Sequence, residues 1–498
     1  MEHTKKRFLK NLAGFSMMAW ISFAIGLISA PIGTRLFAPE ELAKITLFNQ
    51  ISTLFASFCY LGLDQAFVRF FREPPAGSTP KGLFTFCATT SLGFSIISSL
   101  VLFIGWQSIS ARVIGQADIH IFLCLCVFSF CSVLFRYLSL CYRMEQNAKL
   151  YTIQGVLHIL ITKIAYLSVG FGGAGGRTAI LFLTLLMGAF TLLFVFVQRK
   201  RFHPRFYAEV SPPFFKEITW YAAPLIPITI VNALNASISS LALKELMDFA
   251  AVGIYGSAVT LASTVNIIQT GFNTYWAPYV YENYQSDNKR RFFTVHRLMA
   301  CLLTLFGLSA ALFQVPVFWL LGERYRASVV FFPFLFLSPI CYCLSETTGM
   351  GIGISKKTYW NSVIFLSSVI LNLLLCYAFI PTLGGTGAAL ASALSAVLSL
   401  VFRTWAGERY YKAIMDYRYV LYTIALLLAA SFANLLLATH SLAKYACLIS
   451  IFGLACFLFR REIKQLLQTA LQILREGQNV LARRAKANHE KEQGEHKP

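Results

Sequence analysis

The sequence predicts an all-α polytopic membrane protein, and three observations carry that reading. Of the 498 residues, 57% are hydrophobic and only 13% charged, with a mean hydropathy of +0.62. Apolar runs longer than about 18 residues, enough to cross a bilayer as a helix, recur from end to end. Those runs are continuous and lack the alternating segments of about ten residues that would build an outer-membrane barrel. A soluble helical protein of this length would need charged surface that this composition does not supply.

About fourteen spans can be placed in order. The first, at 12–34, follows Lys5, Lys6, Arg7 and Lys10 and is too long for a signal-peptide core, so a retained helix is expected. The second, at 44–63, carries Asn49, Thr53, Ser57, Tyr60 and, just beyond it, Asp64 as a polar row on one helical face. Spans at 83–105, 119–140, 152–171 and 178–198 complete a first set of six. The basic, proline-containing connection at 199–216 then reads as a linker. A second set follows at 219–243, 250–272, 296–321, 329–354, 359–380 and 383–402, with two further spans at 419–438 and 442–459. The implied organisation is an N-terminal lobe over 1–200, a linker over 201–218, a C-terminal lobe over 219–412 and an extra helix pair over 413–460. A basic amphipathic tail over 461–498 reads as a helix on the membrane surface.

Basic residues test this order independently, because cytoplasmic loops are rich in Lys and Arg. With the N-terminus inside, 34 of the 43 Lys and Arg fall in segments predicted inside and 8 in segments predicted outside, while Lys163 lies mid-span. Both termini are therefore expected in the cytoplasm. The net charge of +21 then reflects topology and contact with anionic lipid, not nucleic-acid binding. A cysteine placed at residue 203, in the linker, is expected to escape an impermeant thiol reagent in intact cells; its labelling would reject this topology.

The most informative stretch runs from Asn266 to Tyr281. Asn266, Gln269 and Asn273 share one helical face that ends at Trp276 and Pro278. An amide row in a membrane helix faces either another helix or a wet cavity. Ser57, Tyr60 and Asp64 match it at one constant spacing along the chain, and Gly62, Phe67 and Phe70 then fall on Gly271, Trp276 and Tyr279. Two halves presenting equivalent polar faces to one central cavity are expected. Asn232, Asn235 and Ser239 make a further row in the seventh span.

Ionisable residues within spans are costly and so are candidates for function. Lys163 lies roughly twelve residues, or about 18 Å, into its helix, where snorkelling to the headgroups is difficult. Arg136, Arg69 and Arg35 lie nearer helix ends, where snorkelling competes with a site role. Glu346 reads as the one carboxylate well inside a helix, either a proton carrier coupled to transport or half of a structural ion pair, and Asp64 lies near a helix end. The balance of charge within the spans favours an anionic substrate: cations suit phosphate, and neutral hydrogen-bonding groups suit sugars. Pro31, Pro224 with Pro227, Pro278, Pro316, and Pro333 with Pro339 mark helix bends suited to rocking lobes. The twelve cysteines, including Cys124/Cys126 and Cys341/Cys343, read as small apolar residues. The sequence carries no phosphate-binding G-x-x-x-x-G-K-[ST] loop and no metal-spaced histidine cluster, so neither catalysis nor a cofactor is expected.

The segments TRLFAPEELAKITLFNQ and LGLDQAFVRFF, then YAAPLIP, AVGIYGSAVTLAST, NTYWAPYVYE and GGTGAALASALS, occur in an order that resembles one family. It is the polysaccharide-synthase-type flippases of the multidrug, oligosaccharidyl-lipid and polysaccharide (MOP) exporter superfamily. The resemblance covers about residues 10–410. It implies a V-shaped pair of six-helix lobes that moves undecaprenyl-diphosphate-linked oligosaccharides across the bacterial cytoplasmic membrane, working beside a polysaccharide polymerase or glycosyltransferases. Where members of the family often carry an Asp-Arg pair late in the seventh span, this chain has Ser239 and Ser240. The extra C-terminal helices resemble those of peptidoglycan-precursor flippases, so a lipid II flippase is the nearest alternative. A drug/cation antiporter and a non-transporting scaffold of glycan assembly are more distant ones.

Overall fold

The computed structural model describes residues 20–202, 211–285 and 289–471, apart from 23, 264, 358, 413, 469 and 470. The basic N-terminus, residues 203–210 of the expected linker and the tail beyond 471 lie outside the described residues. Every regular element among the described residues is helical. The first part of the chain folds as α1 (Trp20–Leu36), α2 (Pro39–Cys59), α3 (Leu63–Phe70), α4 (Pro80–Leu102) and α5 (Trp106–Ile114). It continues with α6 (Ile119–Met144), α7 (Ala148–Leu160), α8 (Tyr166–Phe171) and α9 (Gly176–Gln198). Then come α10 (Pro212–Ala222), which begins inside the expected 201–218 linker, α11 (Ile226–Leu246), α12 (Phe249–Ala262), α13 (Val265–Asn283), α14 (Lys289–Leu312) and α15 (Gln314–Trp319). The last are α16 (Phe332–Thr348), α17 (Met350–Ile354), α18 (Tyr359–Leu383), α19 (Gly385–Tyr410), α20 (Arg418–Leu436) and α21 (Ser441–Leu458).

Local chemistry sets many of the helix starts. Thr79 accepts the Gly82 amide, with Pro80 in the first turn of α4. Ser211 and Pro212 do the same for α10, and Asp248 accepts the Ala251 amide at α12. Each cap satisfies an amide that has no partner inside its own helix. Asp118 caps α6 and also receives Arg177 Nε at 2.6 Å, an interaction that holds its carboxyl below the usual range.

The outer faces are apolar. On α9, Leu185, Leu192 and Leu193 are exposed while Leu183, Met187 and Phe190 are buried, as expected of a helix between lipid and protein. Among the described residues ten helices are long and apolar enough to cross a membrane, or up to twelve if each of two bent pairs is one span. The first and eighth of the expected fourteen fall on the shorter α1 and α12. Beyond Ala262 the chain enters α13, whose amides at 266, 269 and 273 dilute its apolar character.

The interior holds two large hydrophobic cores. One is built from residues between Phe37 and Ala222 and includes Phe214 and Ile218 of α10. The other runs from Ala242 to Phe459 and takes in Ala43 and Leu47. Helix α2 therefore serves both, with Ala43 and Leu47 on one face and Ile45, Phe48 and Phe55 in the first core. It packs directly on α11 and α12.

At the Pro39 end of this seam the two parts meet backbone to backbone. A Cβ on Gly253 would lie 2.0 Å from the Pro39 carbonyl oxygen, and one on Gly322 would lie 2.0 Å from that of Thr34. The Gly322 amide donates to Thr34 Oγ1 at 3.0 Å, and the Tyr325 hydroxyl donates to the Phe37 carbonyl at 2.9 Å. Gly322→Ala and Gly253→Ala are each expected to destabilise the fold by about 1–3 kcal/mol, because backbone must shift to admit the methyl group. Thermal unfolding of purified protein in detergent checks this against Gly93→Ala, whose added Cβ would meet nothing within 4 Å.

The structure corrects the expected repeat between the two polar rows. Helix α2 ends at Cys59; Leu61 and Gly62 are left-handed, with φ of 51° and 69°, and α3 leaves at a 57° bend. Ser57, Tyr60 and Asp64 therefore do not share a face. Gly62 faces the Ala222 carbonyl, where a Cβ would be only 2.4 Å away, so the bend is locked by contact with α10. The corresponding stretch of α13 runs through as a single helix with Pro278 inside it.

Candidate functional site

Two adjoining cavities lie on the α2–α12 seam, where a single central one was expected. The larger, of about 420 Å³, is lined from α11, α12, α13, α16, α18 and α19, with Thr46 and Gln50 entering from α2. The smaller, of about 270 Å³, is lined from α1, α2, α12 and the segment around Lys163. Thr46, Gly256, Val259, Thr260 and Ser263 border both. Gly256, Val259 and Thr260 of α12 and its C-cap Ser263 follow the i, i+3, i+4, i+7 pattern of one helical face, so α12 is the partition.

Lys163 lines the smaller cavity together with Ser29, Thr34, Asn49, Thr162 and Tyr166. It sits in a wide π-helical turn, Ile161–Ala165, inserted between α7 and α8. Such turns rotate the following residues out of the ordinary helical register and are frequent at functional sites. Its ammonium has no hydrogen-bond or ion-pair partner among the described residues. Helix α1 passes so close that a Cβ on Gly26 would lie 3.2 Å from Lys163 Nζ.

Of the amides singled out in the sequence, Asn235, Asn266 and Gln269 line the larger cavity. Asn232 is exposed one turn earlier on α11 and lines neither cavity. Asn273 is half-buried, also lines neither, and leaves its Oδ1 buried without a hydrogen bond.

The charged candidates separate in the same way. Asp64 is buried and receives Arg136 Nη2 at 3.1 Å and Gln65 Nε2 at 2.8 Å. Arg69 is exposed and pairs with Glu73 at 3.3 Å, and Arg35 is exposed. Arg35, Asp64, Arg69 and Arg136 line neither cavity. Glu346 receives Arg403 Nη1 at 2.7 Å, and its backbone carbonyl accepts the indole N–H of Trp276 at 3.1 Å. It is not the most enclosed carboxylate: its side chain keeps 19% of its exposure, against 2% for Asp64.

Arg403 is the main residue that sequence reasoning missed. Its Nη1 also donates to Ser345 Oγ at 2.9 Å, and Ser345 lines the larger cavity. Ending the twelfth span at 402 left Arg403 in a loop, whereas α19 continues to Tyr410. A hydroxyl cluster was missed as well: Ser239 Oγ lies 2.9 Å from Ser392 Oγ, which Tyr255 OH approaches at 3.3 Å, and Asn372 Nδ2 donates to Ser239 at 3.4 Å. All twelve cysteines are unbridged, and no cluster of His, Cys, Asp and Glu with metal-binding spacing occurs among the described residues.

A helical bundle with lipid-facing apolar sides and adjoining polar cavities on an internal seam has the form of a multi-pass membrane transporter. The family model described as "Polysaccharide biosynthesis protein" matches residues 8–284, more than half of the sequence, and the chain belongs to that family. The fold is similar to that of the lipid II flippase MurJ in an inward closed conformation, with a TM-score of 0.66 at 11% identity over 90% of this chain and 99% of that one. It is also similar to an inward-facing MATE-family multidrug resistance transporter of the MOP superfamily, with a TM-score of 0.58 at 16% identity over 81% of this chain and 98% of that one. An outward-facing MATE structure gives 0.53 at 18% identity over 81% and 96%. These likenesses show a shared fold. No curated protein matches the chain in sequence.

Proposed function

We propose that the chain is a flippase for polyprenyl-diphosphate-linked oligosaccharides, carrying repeat units of a surface polysaccharide across the bacterial cytoplasmic membrane. The observation that carries this reading is the juxtaposition of a lysine that has no partner among the described residues with a cavity of hydroxyls and amides across one helix, α12. A diphosphate accepts charge-assisted hydrogen bonds from an ammonium, and sugar hydroxyls exchange hydrogen bonds with Ser, Asn and Gln. A cation antiporter would need a carboxylate in the cavity walls, and the described lining residues include none.

The working cycle is alternating access. The parts of the chain before and after the 201–218 linker act as two lobes that rock about α2, α11 and α12. With both termini in the cytoplasm, the Thr34–Gly322 and Pro39–Gly253 contacts face outward, so this arrangement is closed to the outside. The helix pair α20 and α21 stands beside the C-terminal lobe and offers a surface to the polyprenyl tail.

Depletion of the protein in its native cell is the direct test. Lipid-linked oligosaccharide is expected to accumulate on the cytoplasmic leaflet, measured by its protection from an external glycan-binding probe. Unchanged distribution between leaflets after depletion would overturn the flippase reading in favour of a scaffold.

A further inference from the structure

The larger cavity differs from the smaller in one respect that bears on substrate choice. Its described lining residues include no Asp, Glu, Lys, Arg or His, although most of them are polar. The neighbouring sequence is uncharged too, because no charged residue occurs between Asp248 and Glu282, the whole of α12 and nearly all of α13. Arg403 lies against this wall, donating to Ser345 Oγ at 2.9 Å and sitting 5.7 Å from the Tyr342 ring, but it is paired with Glu346 at 2.7 Å.

The polar groups that remain are suited to hydroxyls. Gln50 donates through Nε2 to Ser240 Oγ at 3.1 Å, while its Oε1 is buried at the cavity without a partner. That oxygen can only accept, so it takes an O–H and repels a carboxylate. Tyr342 and Phe365 line the same cavity with rings stacked at 6.0 Å, a surface for the apolar face of a sugar ring. Burying an anion here would carry a desolvation cost, and Arg403, the cation against the wall, is already committed to Glu346.

We infer that the larger cavity selects uncharged glycans: the repeat unit consists of neutral sugars, with its only negative charge at the diphosphate held in the Lys163 chamber. This rests on the flippase reading and narrows its substrate class. A uronic acid or other acidic sugar in the repeat is disfavoured, because the described wall offers it no unpaired cation.

The test uses the full-length protein in proteoliposomes. Two polyprenyl-diphosphate-linked trisaccharides are compared, one of neutral hexoses and N-acetylhexosamine, the other ending in a uronic acid. The neutral compound is expected to cross at least about tenfold faster. Asn235→Lys, which adds a cation at an exposed position on the cavity wall, is expected to narrow that ratio at least about threefold. Equal rates, faster transport of the acidic compound, or an unchanged ratio in the lysine variant would overturn the inference and leave the flippase reading standing. Transport of neither compound by folded protein would overturn both.

Discussion

Lys163→Ala is expected to abolish surface glycan while the protein still reaches the membrane at wild-type levels. The second half of that expectation follows from the geometry, because the ammonium lines a cavity and pairs with no described carboxylate, so its removal strands no buried charge. The first half follows from the chemistry of a diphosphate. A hydrogen bond to a charged group is worth about 1.5–3 kcal/mol, or roughly ten- to more than a hundredfold in binding. Lys163→Arg keeps the charge and should retain more transport, though its planar fork replaces a compact ammonium. Surface glycan display measured beside membrane protein level decides the matter. Normal display by the alanine variant would refute the role.

A comparable effect is expected at Glu346 and Arg403, with a different signature. Their side chains are only 19% and 13% exposed, so removing one partner leaves the other charge poorly solvated. Glu346→Ala or Arg403→Ala should each destabilise the protein by about 3–5 kcal/mol, seen as a lower thermal midpoint in detergent. The double replacement Glu346→Leu with Arg403→Met removes both charges and should recover much of that loss. A double variant no more stable than either single one would contradict a structural pair. Glu346→Gln separates structure from coupling, because it keeps the shape but cannot titrate. If Glu346 carries the driving proton, substrate-dependent proton flux in liposomes disappears in that variant; flux equal to wild type rules out coupling through this residue.

The fold was legible because helix length and apolarity are local properties, and in a bilayer they leave few alternatives. Lys163 was legible for a related reason: a cation deep in an apolar run is an energetic anomaly before any neighbour is known. Arg403 was not, because its status depended on where α19 ends, and span boundaries are set by packing as much as by hydropathy. The polar row through Ser57, Tyr60 and Asp64 failed on a tertiary contact. Periodicity assumes an unbroken helix, and nothing local shows that the Ala222 carbonyl would occupy the space beside Gly62. The division into two cavities was likewise hidden, since it depends on which face of α12 meets α2.

The π turn at Lys163 also joins two segments with separate anchorage. Upstream, His158 of α7 stacks on Phe135 of α6 with ring centroids 4.3 Å apart. Downstream, α8 is moored to α1: a Cβ on Gly170 would fall 2.7 Å from the Phe37 ring, and one on Gly33 would fall 3.2 Å from the Tyr166 hydroxyl. The lysine thus rides on a swivel, with one arm clamped to the body of the bundle and the other to the helix whose end meets Gly322 and Tyr325. A displacement of α1 that parted those contacts while keeping its packing on α8 would turn the downstream arm and carry the ammonium with it. In the proposed cycle, release of that latch and movement of the charge would then be one mechanical event, with no separate signal needed between them.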